Sequence, residues 1–140
     1  MEEALIRRVV EEVLRARGTP TQGDFQKEKD PSGVLCVRTK TVRCERFQQD
    51  GVALKDVVTL QEAPRMGCGV MELRDTTFPW TLTYDEYDLV LEGTLEIVVD
   101  GRVLSGTAGD ILYIPKNTAI SFRAKGFTRY AYFVYPADWQ

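Results

Sequence analysis

The sequence predicts an all-β domain, either a sandwich or a barrel of short strands. From about Val34 onward, stretches rich in Val, Ile, Thr, Tyr and Phe alternate with turn residues, the pattern of strands joined by tight connections. Asp100-Gly101 lies between two apolar runs and is a strong hairpin signal. Because this part of the sequence contains no long helical pattern, the strands must bury their apolar faces against one another.

Around ten short strands are expected from this pattern. The stretches that carry it are 34–40, 41–47, 56–60, 68–74, 78–84, 86–91, 94–99, 102–105, 110–114, 120–124 and 128–135.

Residues 1–17 carry a helical pattern instead. Six aliphatic residues recur at helical spacing and form one apolar stripe on a short amphipathic helix: Leu5, Ile6, Val9, Val10, Val13 and Leu14. Residues 18–33 are predicted to be a linker, and 34–140 the β domain. A helix this short is only marginally stable in water unless its apolar stripe packs against another surface. It either packs on its own domain or on a dimer mate, or serves as an address tag for another protein.

Composition excludes several classes of function. The formal charge is −3 with no basic cluster, which argues against a nucleic-acid partner. The sequence has no histidine, which excludes serine–histidine hydrolysis and histidine-ligated metal chemistry. Its three cysteines form neither a disulfide framework nor a zinc site, and no apolar run approaches a membrane span. We expect a soluble, cytoplasmic protein that does not bind membranes.

Two glycine-anchored motifs narrow the fold. Glu86 is followed after six residues by Gly93, and a second motif runs from Gly109-Asp110 to Pro115, with fifteen residues between the two. This pair of spacings resembles the two signature motifs of the cupin superfamily. The resemblance implies a double-stranded β-helix, or jelly-roll barrel.

The sequence departs from metal-binding cupins at the ligand positions. Aligned on Glu86, two of the usual histidines fall within residues 79–82 and the third falls on Ile120. A single carboxylate among apolar side chains cannot hold a transition metal. We therefore predict a cupin with no transition-metal site.

Three longer runs resemble the ethanolamine-utilisation protein Q (EutQ) family. They are residues 65–72 (RMGCGVME), 78–93 (FPWTLTYDEYDLVLEG) and 135–139 (YPADW). The resemblance implies a role in the bacterial microcompartment pathway for ethanolamine, with acetate kinase activity that interconverts acetate plus ATP with acetyl phosphate plus ADP. It also implies that residues 1–17 are a targeting tag for the compartment shell or its enclosed enzymes.

The strand that carries the first motif supplies the candidate site. Regular alternation places Trp80, Leu82, Tyr84, Glu86 and Asp88 on one face, and in a cupin the motif glutamate faces the barrel interior. The two acids would lie about 7 Å apart along the strand. Two like charges in a partly apolar pocket require a proton, an arginine, a lysine or a hard cation such as Mg²⁺.

Phosphoryl transfer to acetate would suit such a pocket, because acetate is already a deprotonated nucleophile. We assign Mg²⁺ to Glu86 and Asp88, with Asp85 as a substitute, and ATP as the cosubstrate. Tyr84 is a further catalytic candidate. Arg65, Lys116 and Arg129 are phosphate-binding candidates, and Tyr113 is expected to orient substrate.

Each of these residues also has a simpler interpretation. Glu86 is equally consistent with a structural carboxylate, and exposed cations are usually solvated surface charge. Trp80, Leu82, Ile120 and Phe122 are expected in the core. Gly67-Cys68-Gly69 lacks the lysine of a phosphate loop and predicts a turn or a close-packed strand.

The alternative function is a non-catalytic ligand-binding or assembly module of the same compartment. A homodimer is expected under either function, because small barrels commonly cover an edge strand with a partner.

Overall fold

A computed structural model describes residues 25–140, and the all-β prediction is confirmed within this range. The predicted helix over 1–17 lies outside the described residues. None of the described residues belongs to a helix long and apolar enough to cross a membrane. The strands in chain order are β1 (Lys27–Lys29), β2 (Leu35–Val37), β3 (Glu45–Phe47), β4 (Gln49–Asp56), β5 (Gly67–Leu82), β6 (Asp85–Val99), β7 (Arg102–Thr107), β8 (Ile111–Ile114) and β9 (Thr118–Tyr135).

The chain divides into two compact units, with the boundary in the sequence between Arg43 and Cys44. In the first unit, β1 and β2 form an antiparallel ribbon, followed by a short 3₁₀ turn over Thr39–Thr41. An ion pair of 2.8 Å joins Arg38 to Glu28 within this unit. Part of the stretch assigned to the linker, 18–33, therefore forms a strand.

The second unit is one antiparallel sheet of seven strands in the order β3-β4-β5-β9-β6-β7, with β8 paired to β6. Strand β9 lies between β5 and β6 and pairs with both along most of its length. Irregularities between Arg74 and Thr76 in β5, and at two points in β6, interrupt the ladders. Such bulges bend long strands, so that one sheet can enclose a core.

These bends explain why the prediction counted more strands than the structure has. The stretches 68–74 and 78–84 belong to the single strand β5, 86–91 and 94–99 to β6, and 120–124 and 128–135 to β9. Turn-like residues at the irregular positions made each long strand resemble two short ones.

The core lies on the inner face of this sheet, and aliphatic and aromatic side chains from five of its strands fill it. Leu82, Ile120 and Phe122 are buried there, as predicted. Other fully or nearly fully buried members are Val52, Leu73, Val90, Leu95, Tyr130, Tyr132 and Val134.

The hairpin prediction at Asp100-Gly101 is confirmed. Both residues have positive φ angles, 50° and 76°, as the two-residue turn that matches strand twist requires. They connect β6 to β7, whose register runs from Val99 opposite Arg102 to Thr94 opposite Thr107.

The strand predicted over 56–60 is wrong, since β4 ends at Asp56 and the next strand begins at Gly67. Thr59 and Glu62 form a reciprocal turn. The Thr59 amide donates to the Glu62 carboxylate at 2.9 Å, and the Glu62 amide donates to the Thr59 hydroxyl at 3.0 Å. This capping-box pattern satisfies the backbone locally and competes with strand pairing.

Candidate functional site

Two acidic side chains of β6 point into the second unit, as alternation predicts. Glu86 is 5% exposed and Asp88 is 0% exposed. In the ladders, Glu86 is opposite Ile114 and Val134, and Asp88 is opposite Leu112 and Tyr132. The two residues are separated by one position on an extended strand, so their side chains share the inner face.

No cation neutralises this acid pair among the described residues. Neither carboxylate oxygen of Asp88 accepts a hydrogen bond from any described group. Burial raises the pKa of Glu86 to about 7. Burial, together with the neighbouring Glu86, raises the pKa of Asp88 well above its ordinary value. Both groups lie on the inner face of one strand, and ionising both would bury two like charges, so near neutral pH the pair retains one proton between its two members and carries one negative charge.

Glu86 forms part of the wall of a chamber that is otherwise almost entirely aromatic and aliphatic. The space accessible to a water-sized molecule is about 20 Å³, and about 290 Å³ when the open mouth is included. The lining residues are Phe47, Leu54, Met71, Phe78, Trp80, Tyr84, Glu86, Phe122, Tyr132 and Trp139.

Trp139 is the centre of the aromatic cluster. Its ring centroid lies 5.8 Å from Phe47, 6.0 Å from Trp80, 6.2 Å from Tyr84 and 6.0 Å from Tyr132. Most of these contacts are edge-to-face, an arrangement that the ring quadrupole favours. Rings from three strands, from the β5–β6 connection and from the segment after β9 are therefore held together around Glu86.

Hydrogen bonds fix the polar ends of these rings. Trp80 Nε1 donates to Tyr84 Oη at 2.7 Å, which leaves the Tyr84 hydroxyl proton for a ligand. Asp56 Oδ1 accepts from Tyr132 Oη at 2.5 Å and from Trp139 Nε1 at 3.1 Å. Asp56, at the end of β4, thereby orients two walls of the chamber.

Gly69 makes room for this arrangement. A Cβ at this position would lie 2.1 Å from the Tyr132 hydroxyl and 2.6 Å from the carbonyl oxygen of Lys55, both far closer than atoms can approach. The Gly67-Cys68-Gly69 run belongs to β5, so the prediction of a close-packed strand is confirmed.

The whole sequence, residues 1–140, matches the profile of the ethanolamine utilisation protein EutQ family. The chain belongs to the EutQ family. Its relative in Clostridioides difficile, named acetate kinase EutQ, is 42% identical over 98% of this chain and 90% of that protein. The acetate kinase EutQ of Escherichia coli is 33% identical, and the match covers 99% of this chain and 62% of that protein. This chain thus spans less than two thirds of the E. coli relative.

Solved structures agree with this family assignment. The EutQ structure from C. difficile has a TM-score of 0.78 at 44% identity, covering 83% of this chain and 90% of that one. A cupin domain of a transcriptional regulator from Enterobacter cloacae has a TM-score of 0.54 at 13% identity, covering 61% of this chain and 97% of that one. The second likeness concerns the fold alone, and with the first it confirms the predicted cupin architecture.

The other predicted site residues of this EutQ chain do not gather around Glu86 and Asp88. Tyr113 is exposed, and its hydroxyl donates to Asp85 Oδ1 at 3.1 Å. The backbone amide of Lys116 donates to the same oxygen at 2.8 Å. Asp85 therefore anchors the turn before β9, and its carboxylate is already engaged as an acceptor.

Arg129 lies on the opposite face of the sheet from the acid pair. It follows the alternation of β9, in which Tyr130 and Tyr132 face inward. Its guanidinium pairs with Glu72, the residue opposite it on β5. Arg65 is exposed in the connection between β4 and β5. Of the predicted residues, the chamber brings together Tyr84, Glu86 and, behind them, Asp88.

The residues present do not fit a resident Mg²⁺. This ion requires near-octahedral oxygen coordination and usually retains several waters, whereas the side-chain oxygens in the chamber lining are only those of Glu86, Tyr84 and Tyr132. No group of three or more potential ligands is found among the described residues. The assignment of Mg²⁺ to Glu86 and Asp88 stays a prediction.

Sequence reasoning missed Asp56, Tyr132 and Trp139. Tyr132 belongs to the same inward-facing series as the residues of β9 that were expected in the core, and alternation could have placed it. Trp139 follows the last strand in an irregular segment, where no periodicity predicts which way a side chain points.

Proposed function

We propose that this chain carries out the acetate kinase reaction named for its relatives, with the aromatic chamber as the acetate site. The observation that carries the proposal is an open chamber whose apolar lining also includes the Tyr84 hydroxyl and the Glu86 carboxyl group. The apolar walls suit the methyl group of acetate. Mg²⁺ enters with ATP as part of the nucleotide substrate.

The chemistry follows from this placement. Tyr84 donates to one acetate oxygen, and Glu86 does so when it holds the shared proton. The other acetate oxygen attacks the γ-phosphorus of ATP at the mouth of the chamber. The new O–P bond forms as the bond to the β–γ bridging oxygen breaks, and ADP leaves with that electron pair. No proton transfer is required, so catalysis depends on positioning and charge stabilisation.

Cations would stabilise the phosphates at the mouth. Arg65 and Lys116, which are not among the residues that line the chamber, are proposed for this role on their charge alone. Arg129 does not share this role in the proposal, because it pairs with Glu72 on the opposite face. Tyr113 donates to Asp85 and would support the turn that carries Lys116.

A coupled assay of acetyl phosphate formation tests this proposal. We expect turnover above background, and about a tenfold lower kcat/KM in Tyr84→Phe, which removes one hydrogen bond to acetate. Glu86→Leu should lose at least as much. The matched control is Tyr87→Phe, since Tyr87 lies on the exposed outer face and its variant should retain full activity.

Two outcomes would contradict the kinase proposal. Absence of turnover in the full chain would exclude the activity. Turnover that is unchanged in both Tyr84→Phe and Glu86→Leu would place the reaction outside the chamber.

A non-catalytic ligand-binding module is the second candidate. It is favoured by the size of the chamber, which does not enclose a nucleotide, and by the absence of a cationic side chain among its described lining residues. Calorimetry with Mg·ATP separates the two candidates, because a ligand-binding module shows neither heat of nucleotide binding nor turnover.

We further propose that residues 1–17 direct the protein to a bacterial microcompartment through its shell or its enclosed enzymes. The apolar stripe of this segment is the supporting feature. A fusion of residues 1–24 to a fluorescent protein should give punctate fluorescence in cells that form ethanolamine-induced compartments. Diffuse fluorescence would contradict targeting. The homodimer stays a prediction.

A further inference from the structure

The chamber has an unusual combination of walls and charge. Seven aromatic side chains surround one acidic side chain, Glu86, and none of the described lining residues is cationic. Asp88 lies behind Glu86, fully buried and with both oxygens lacking a hydrogen-bond partner. A buried negative charge without a partner is costly, and the cost is relieved by a cation that reaches it.

The walls determine which cation is suitable. A small hard ion would lose its water shell against rings that offer it few oxygens. An organic ammonium is attracted to the faces and edges of aromatic rings, most strongly to Trp, and its carbon atoms are compatible with an apolar wall. Both tryptophans of the sequence, Trp80 and Trp139, line this chamber.

The dimensions limit the ligand to a short chain. The enclosed space has room for about one water-sized group, and the mouth extends it to about 290 Å³. An ammonium group next to Glu86 would occupy the enclosed part, and a chain of two or three carbon atoms would reach the mouth. The Tyr84 hydroxyl, whose proton is left available by the bond from Trp80, can donate to a polar group on that chain.

We propose that the chamber binds a small alkylammonium ion, whose N–H groups donate to Glu86 and whose carbon atoms pack against Trp80, Trp139 and Phe47. Asp88 reinforces the negative charge from behind without touching the ligand. This site goes beyond the kinase proposal and does not depend on it. Because acetate would occupy the same space, the two ligands exclude each other.

Intrinsic tryptophan fluorescence of the full chain tests the proposal, since both indoles lie in the chamber. The probes are ethylammonium and ethanolammonium chlorides. Sodium chloride at equal ionic strength and 1-propanol, a neutral molecule of similar size, are the matched controls. We expect a saturable spectral change with ethylammonium or ethanolammonium, and none with either control.

Two variants test whether the Glu86 carboxylate supplies the binding energy. Glu86→Gln should weaken ethylammonium binding at least tenfold, whereas Glu45→Gln, at an exposed acid of the same unit, should leave it unchanged. Saturation-transfer NMR on the ethylammonium methyl group provides a second measurement on the unmodified protein, and acetate should displace the signal.

Three results would overturn the proposal: no saturable change with any ammonium probe, an equal response to 1-propanol, or unchanged binding in a folded Glu86→Gln variant. Absence of kinase turnover leaves this test unaffected, because the fluorescence readout requires neither ATP nor catalysis.

Discussion

Asp88→Asn should make the protein more stable at pH 8 and remove part of the pH dependence of its unfolding. In the folded protein, burial and the adjacent Glu86 raise the pKa of Asp88, and burial raises the pKa of Glu86 to about 7. The folded state therefore binds more protons than the unfolded chain between the ordinary carboxyl pKa and about pH 7. By linkage, this contribution to stability is fully present below pH 4 to 5 and is lost as the pH rises through 7.

The asparagine variant leaves Glu86 as the only titratable group of the pair, so the pair can no longer bury two like charges as the pH rises. We expect wild type and Asp88→Asn to have similar free energies of unfolding at pH 5, where the aspartic acid is protonated. By pH 8 the variant should be more stable by on the order of 2 kcal/mol. Urea unfolding at pH 5, 6, 7 and 8 measures the difference.

Asp50→Asn is the matched control, because the Asp50 side chain is 99% exposed. Its curve should run parallel to that of the wild type at every pH. If Asp88→Asn were less stable than the wild type at pH 8, or showed the same pH slope, the acid pair would not be a source of electrostatic cost.

Leu73→Ala should destabilise the second unit by about 2 to 5 kcal/mol. Leu73 is 0% exposed, lies in the middle of β5, and is opposite Val52 on one side and Thr128 on the other. The ladders on both sides hold the backbone in place, so the site cannot collapse to fill the space of the lost side chain, and a cavity remains.

The control for this substitution is Leu60→Ala, at a residue 54% exposed in the connection between β4 and β5. It should cost less than about 0.5 kcal/mol. Urea unfolding at one pH compares the three proteins. A loss below 1 kcal/mol in Leu73→Ala would show that the core relaxes around the missing side chain.

The sequence was informative where periodicity and turn chemistry act locally. The positive-φ requirement at Asp100-Gly101 identified a hairpin, and alternation placed Glu86 and Asp88 on the inner face. It was misleading at 56–60, where a β-branched run coincides with a Thr–Glu turn. In that case a local hydrogen-bond pattern outweighed strand propensity.

The set of side chains around the acids was harder to predict. Whether Arg129 or Tyr130 faces inward depends on how β9 is registered against β5 and β6, and no local pattern fixes that register. Trp139 and Asp56 meet through a hydrogen bond between residues 83 positions apart. Contacts of this kind arise from the assembled sheet, so charge alone did not identify residues that the fold brings together around the acid pair.

The position of β9 has a consequence for synthesis of the protein. Strands β5 and β6 are made early, yet each obtains its longest ladder only from β9, the last strand of the described chain. Until the ribosome has released that segment, both strands present unsatisfied amides and apolar faces. The edges of β5 and β6 that pair with β9 therefore stay unpaired during synthesis until β9 is available to join them.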